Sequence, residues 1–111
     1  MDDPRLSSVA KTAISEPENE LFASAAAAYE IVYKQGLGRL QPLPDSLSRQ
    51  LQREGISVLP ISFDHALAAA ALPGPHRDPW DRIMMAQAVA EGLTMVTVDP
   101  QFSHYGVPVL W

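Results

Sequence analysis

Two hydrophobic rhythms alternate along the chain: apolar residues at helical spacing, and short unbroken apolar runs. From Arg5 to Ile14, Leu6, Val9, Ala10 and Ala13 recur every three or four residues, which predicts a short amphipathic helix. The polar turn "SEPENE" follows, then "ELFAS", an apolar run suited to a buried strand. "AAAAYEIVYKQGLGRL" predicts a helix ending near Gly36 or Gly38, where glycine supplies the left-handed terminal residue. After the break "QPLPD", Asp45 or Ser46 caps a helix through "SLSRQLQRE" that Gly55 stops. "ISVLPI" predicts the next strand. Ser62 or Asp64 caps "HALAAAAL", and "PGPH" ends it. "DPWDRIMMAQAVAEG" is the best specified helix, followed by the strand "LTMVTV" and a short final one in "VPVLW". Helices alternating with continuously apolar strands predict an α/β domain with a parallel sheet covered on both faces. Sites in such sheets collect beyond the carboxyl ends of the strands, which draws attention to Asp99 after "TMVTV".

Composition changes this picture little. A chain of 111 residues with 47% hydrophobic and 19% charged content is a single globular domain able to bury a core. The net charge of -5 excludes nucleic-acid binding by bulk electrostatics, which relies on Lys and Arg over phosphates. It leaves room for a metal-dependent nuclease, because bound cations invert the field of an acidic site. Without cysteine there is no disulfide framework, thiolate metal site or Cys nucleophile, as suits a cytosolic protein. The start "MDDPRLSS" is acidic and broken by Pro4, unlike a signal peptide, and no apolar stretch is long enough to span a membrane.

The chemistry lies in the carboxylates. Asp78, Pro79 and Asp81 form a strong helix start: a capping side chain, a first-position proline, and negative charge at the positive end of the helix dipole. Capping can account for both aspartates, more fully for Asp78 than for Asp81, and Asp99 before Pro100 suits a turn. Glu30 precedes Lys34 by four residues, a favourable surface pair. Its neighbours Tyr29, Ile31 and Val32 are apolar, however, and a carboxylate on a mostly apolar helix calls for a partner such as a metal. Glu30, Asp81 and Asp99 come from three segments that can converge at one edge of a parallel sheet. Oxygen-only ligands suit Mg²⁺ or Mn²⁺ rather than zinc. If the acids serve only as caps, they should not converge.

His65, His76 and His104 lack ligand spacing and read as surface or helix-edge residues. Met84, Met85 and Met95 read as core filler. Ser24 reads as a helix cap rather than a nucleophile. Arg77 and Arg82 flank the acids and would contact a phosphate backbone or the carboxylates themselves. Trp80 and Trp111 are core or interface anchors.

"HRDPWDRIMMAQAVAEGLTMVTVDPQFSHYGVPVLW" resembles the C-terminal half of PIN-domain proteins, specifically the VapC-type toxins of bacterial toxin–antitoxin pairs. "DDPRLS", "NELFASAAAAYEIVYKQGLGRL" and "ISVLPISFDHALAAAALP" resemble the same family in the same order, so the likeness spans essentially the whole chain. It implies a three-layer α/β/α fold with a central parallel sheet. It further implies a cytoplasmic Mg²⁺- or Mn²⁺-dependent endoribonuclease that acts on RNA, is blocked by a cognate antitoxin, and forms a homodimer. The family's metal-holding and catalytic acids fall on Glu30, Asp81 and Asp99, with Asp78 secondary and mainly a cap. The family also begins with a central strand ending in an aspartate. No segment matches it here, and Asp2 and Asp3 are not substitutes. Its loss would leave two strands with unpaired edges. Weak or absent activity is then expected, and the alternative is an inactive remnant that binds an antitoxin or dimerises through the sheet edge.

Overall fold

The structure, a computed structural model, describes residues 7–38, 46–74, 78–97, 102 and 105–111. Its elements are α1 (Ser8–Ser15), β1 (Leu21–Ser24), α2 (Ala25–Gly36), α3 (Leu47–Arg53), β2 (Ile56–Leu59), α4 (Phe63–Ala71), α5 (Pro79–Glu91), β3 (Met95–Val96) and β4 (Val109–Leu110). The order is that predicted by the alternating rhythms, and the α/β class with parallel strands stands. Ser24, Ser46 and Ser62 cap α2, α3 and α4 through their side-chain oxygens. Asp45 lies outside the described residues. Gly92 ends α5 in the left-handed conformation at φ 66°, where a side chain would be strained.

The strands form two parallel pairs, β1 with β2 and β3 with β4. Among the described residues no strand bridges β1 and β3. In their place lies a cleft of about 600 Å³ whose walls include Leu21 and Phe22 of β1, Met95 and Val96 of β3, and Met84, Gln87 and Ala88 of α5. The strands are also less enclosed than their continuous apolar character predicts, with Phe22 and Val58 both substantially exposed. A sheet of two strands has a neighbour on one edge only, so its side chains stay near solvent.

The core instead gathers around α5. Its residues Met85, Ala86, Gln87 and Ala88 are all buried, and four successive residues at 100° per residue sweep most of the helix circumference. Hence α5 is enclosed on nearly every side here, packing on α4 and α2. Met85 and Ala88 join Phe102 and Val107 in the main cluster, against which Leu72, Leu93, Met95, Tyr105 and Val109 pack. The one polar residue in this run, Gln87, is satisfied on both ends. Its Oε1 accepts from the Ser24 hydroxyl at 2.6 Å, and its Nε2 donates to the Pro60 carbonyl at 3.2 Å. These two bonds tie α5 to the carboxyl ends of β1 and β2.

Candidate metal centre

The start of α5 positions two carboxylates by local rules. Asp78 caps the helix, its Oδ1 accepting from the backbone N–H of Trp80 at 2.9 Å and of Asp81 at 3.2 Å. Pro79 takes the first helical position, where its missing N–H costs nothing, and Asp81 lies in the first turn. The third carboxylate comes from α2. Glu30 follows Ser24 by six residues, and the packing of α2 on α5 carries it to the same place. One carboxylate oxygen from each of Glu30, Asp78 and Asp81 lies within 4.8 Å of the others.

This arrangement revises the sequence reading in three ways. Asp78 is both cap and cluster member, because capping occupies one oxygen of a carboxylate that has two. Glu30 is half-buried, as are Ala27, Ala28 and Ile31, whereas Tyr29, Val32 and Tyr33 are about half exposed. Part of the apolar surface of α2 thus lies open to solvent, and Glu30 joins the two aspartates of α5. The expected pair with Lys34 is present at 3.7 Å. Arg82, expected to meet a phosphate or the carboxylates, also reaches the end of α4. Its Nε donates to the Ala69 carbonyl at 3.1 Å, and its terminal nitrogen donates to Leu72. That contact serves the orphan carbonyls that every helix leaves at its C-terminus. Asp99, Arg77, His76, His104, Asp2 and Asp3 lie outside the described residues.

Three carboxylates this close repel one another. A pair of unit charges at such a distance costs about 1 kcal/mol in water and roughly 3–4 kcal/mol at an effective dielectric of 20. The N-terminal dipole of α5 and the Lys34 ammonium offset part of this. The donor set fits a hard divalent cation. Oxygen ligands sit at roughly 2.0–2.6 Å from Mg²⁺ or Ca²⁺, so two ligands of one ion stand at most about 4–5 Å apart. The 4.8 Å span falls within that limit. Capping alone would not bring Glu30 from a separate helix to meet the two aspartates.

His65, in sequence a surface or helix-edge residue, is buried in the structure. Its Nδ1 accepts from the Ser62 N–H at 3.0 Å, while the His65 N–H donates to the Ser62 Oγ at 3.1 Å. With Nδ1 accepting, the ring proton sits on Nε2, which meets Glu91 Oε1 at 3.0 Å. His65 is therefore a capping-box residue joining α4 to the end of α5, distant in role from the acids. The Ser-x-x-His spacing was a signal for it, since Glu or Gln ordinarily fills that position.

A PIN domain is the class of protein that such a fold and acidic cluster suit, and the PIN domain family profile matches residues 1–108. The chain belongs to the PIN domain family. No curated protein and no solved structure matches it. PIN domains have a nuclease-type function in general and are typically dependent on divalent metals. Among the described residues, no helix is long and apolar enough to cross a membrane.

Proposed function

We propose that the chain is a VapC-type endoribonuclease toxin of a toxin–antitoxin pair, hydrolysing RNA phosphodiester bonds with Mg²⁺ or Mn²⁺. The observation that carries this reading is the meeting of Glu30, Asp78 and Asp81 from two helices in a chain of the PIN family. A divalent ion in such a site supplies charge for the phosphate and lowers the pKa of a bound water. The protein's own part is to hold three oxygens in one place. Asp78 fixes the first turn of α5 by its cap and thereby orients Asp81. Glu30 closes the site from α2, its carboxylate steadied by Lys34. Asp99 is proposed as a fourth acid on the strength of the family likeness. A cognate antitoxin covering this acidic surface, a homodimer and a cytoplasmic setting belong to the same reading.

The cleft between β1 and β3 supports a second reading, an inactive PIN remnant that acts as a binding or dimerising module. In the family likeness the central strand ending in aspartate belongs between these two neighbours, and the nuclease reading expects full activity only with it in place.

The test is RNA cleavage in Mg²⁺ or Mn²⁺ by the chain as it stands and by a version fused at its N-terminus to an apolar strand ending in aspartate. Cleavage that rises with the fused strand and vanishes in Asp81→Asn supports the nuclease. Cleavage that survives Asp81→Asn and Asp99→Asn together rules it out, and silence of both versions favours the binding module.

A further inference from the structure

Glu30 follows Ser24 by six residues, and Gln87 follows Asp81 by six. The structure joins α2 to α5 at both ends of these intervals. At the start of α2, the Ser24 hydroxyl donates to Gln87 Oε1 in the later part of α5, at 2.6 Å. Farther along α2, Tyr29 meets Trp80 in the first turn of α5, with ring centroids 4.7 Å apart, and Glu30 meets Asp78 and Asp81. Moving forward on α2 is therefore moving backward on α5. The helices run antiparallel, and equal steps on each lead from the hydrogen bond to the acids. Six residues of helix span about 9 Å.

Shape alone sets this register weakly. The buried residues of the two helices are Ala26 on α2 and Met85, Ala86, Gln87 and Ala88 on α5. Alanines give low ridges, which hold one helix against another less firmly than long side chains do. Gln87, in contrast, has one arrangement that serves both its neighbours. The Pro60 carbonyl can only accept, so it takes the amide NH2 at 3.2 Å and leaves Oε1 for the Ser24 proton. Ser24 Oγ in turn accepts from the Ala26 N–H at 3.1 Å, so the hydroxyl that caps α2 also docks it. A slip of one helical turn, about 5.4 Å, would strand an amide that is 1% exposed. It would also exceed the 4.8 Å within which the three carboxylates meet. A single buried polar pair specifies register in coiled coils for the same reason.

We propose that Ser24 and Gln87 are positioning residues for the acidic site: their buried hydrogen bond sets the register of α2 against α5 that brings Glu30 to Asp78 and Asp81. The proposal rests on the proposed function only for the cation that these acids would hold. The register itself is tested without metal, so the two can fail separately.

The chain has no cysteine of its own, so Glu30→Cys/Asp81→Cys carries a single thiol pair across the joint. Dibromobimane, which fluoresces once both its arms have reacted with neighbouring thiols, reads that pair in the metal-free chain. Adding Ser24→Ala or Gln87→Leu should slow cross-linking about 10-fold, because the thiols no longer face one another. The two losses should not add, since each removes the same bond. Ser24→Thr, which keeps the hydroxyl, should cross-link like the parent. So should Ser46→Ala, which deletes the cap of α3 and leaves the joint alone. In the chain with its acids intact, Mn²⁺ affinity by calorimetry should fall about 10- to 100-fold in Ser24→Ala and Gln87→Leu and recover in Ser24→Thr. All measurements are made well below the lowest thermal midpoint, and if Gln87→Leu does not fold, Ser24→Ala and Ser24→Thr decide. The proposal is overturned if Ser24→Ala cross-links as fast as the parent, or if Ser46→Ala slows the reaction equally. Wild-type Mn²⁺ affinity in both Ser24→Ala and Gln87→Leu overturns it as well. Ser24-dependent cross-linking in a chain whose wild type binds no Mn²⁺ would sink the metal reading and leave the register lock standing.

Discussion

The two ends of α5 are built by opposite means. At its N-terminal end, short-range rules assemble a polar site: a cap, a first-position proline, a first-turn aspartate, and a glutamate delivered by one helix–helix contact. Toward its C-terminal end, α5 instead helps form an apolar cleft whose side walls are strand edges paired on one side only among the described residues. At the first end, residues 24–36 and 78–91 bring the three acids together. At the other end, each strand among the described residues is paired on one edge and leaves the other edge open for a further strand. Local codes place the two aspartates and one helix contact adds the glutamate, whereas a sheet needs its neighbours.

The comparison can be broken at four places. At the polar end, Asp81→Asn should lower metal-dependent RNA cleavage at least about 100-fold, or about 2.7 kcal/mol of transition-state stabilisation. Its thermal midpoint should remain close to wild type, because the substitution removes charge rather than packing. Matched melting curves and initial rates check both statements. At the other end, Gln87→Leu strands the Ser24 hydroxyl and the Pro60 carbonyl that Gln87 now serves. Denaturant unfolding should register a loss of about 1–3 kcal/mol.

Asp78 separates its two roles. Asp78→Ala removes both cap and ligand and should cost about 1 kcal/mol of stability, whereas Asp78→Asn keeps a capping oxygen and should cost only a few tenths. Both variants should weaken Mn²⁺ binding. If Asp78→Asn binds Mn²⁺ like wild type, Asp78 is a cap alone. The smallest effect belongs to Lys34→Ala. Its exposed i,i+4 pair with Glu30 contributes about 0.2–0.5 kcal/mol in unfolding experiments, and less at high salt.

The same contrast explains what the sequence made legible. Helix starts were readable because each rests on one side chain and the N–H groups just after it, as at Ser24, Ser62 and Asp78. Element order was readable from periodicity. Sheet partnership was not, since Leu21–Ser24 and Met95–Val96 look alike as apolar runs whether or not a strand lies between them. In the site, Glu30 stands out as a charge among apolar neighbours, and the structure brings it to the two aspartates of α5 while Tyr29 and Val32 stay about half exposed. Asp78 is harder to assign from sequence, because capping suffices to explain its position. Gln87 carries a signal of its own, since a lone amide between alanines in an apolar run marks a buried polar bridge.

The central claim is that Glu30, Asp78 and Asp81 share one divalent cation. Calorimetric titration of Mn²⁺ into the chain, beside the Glu30→Gln/Asp81→Asn double variant, tests it most directly. One Mn²⁺ per wild-type chain, lost in the double variant while its fold persists by circular dichroism, is the predicted result. Equal Mn²⁺ binding by both proteins, or none by wild type, would contradict it.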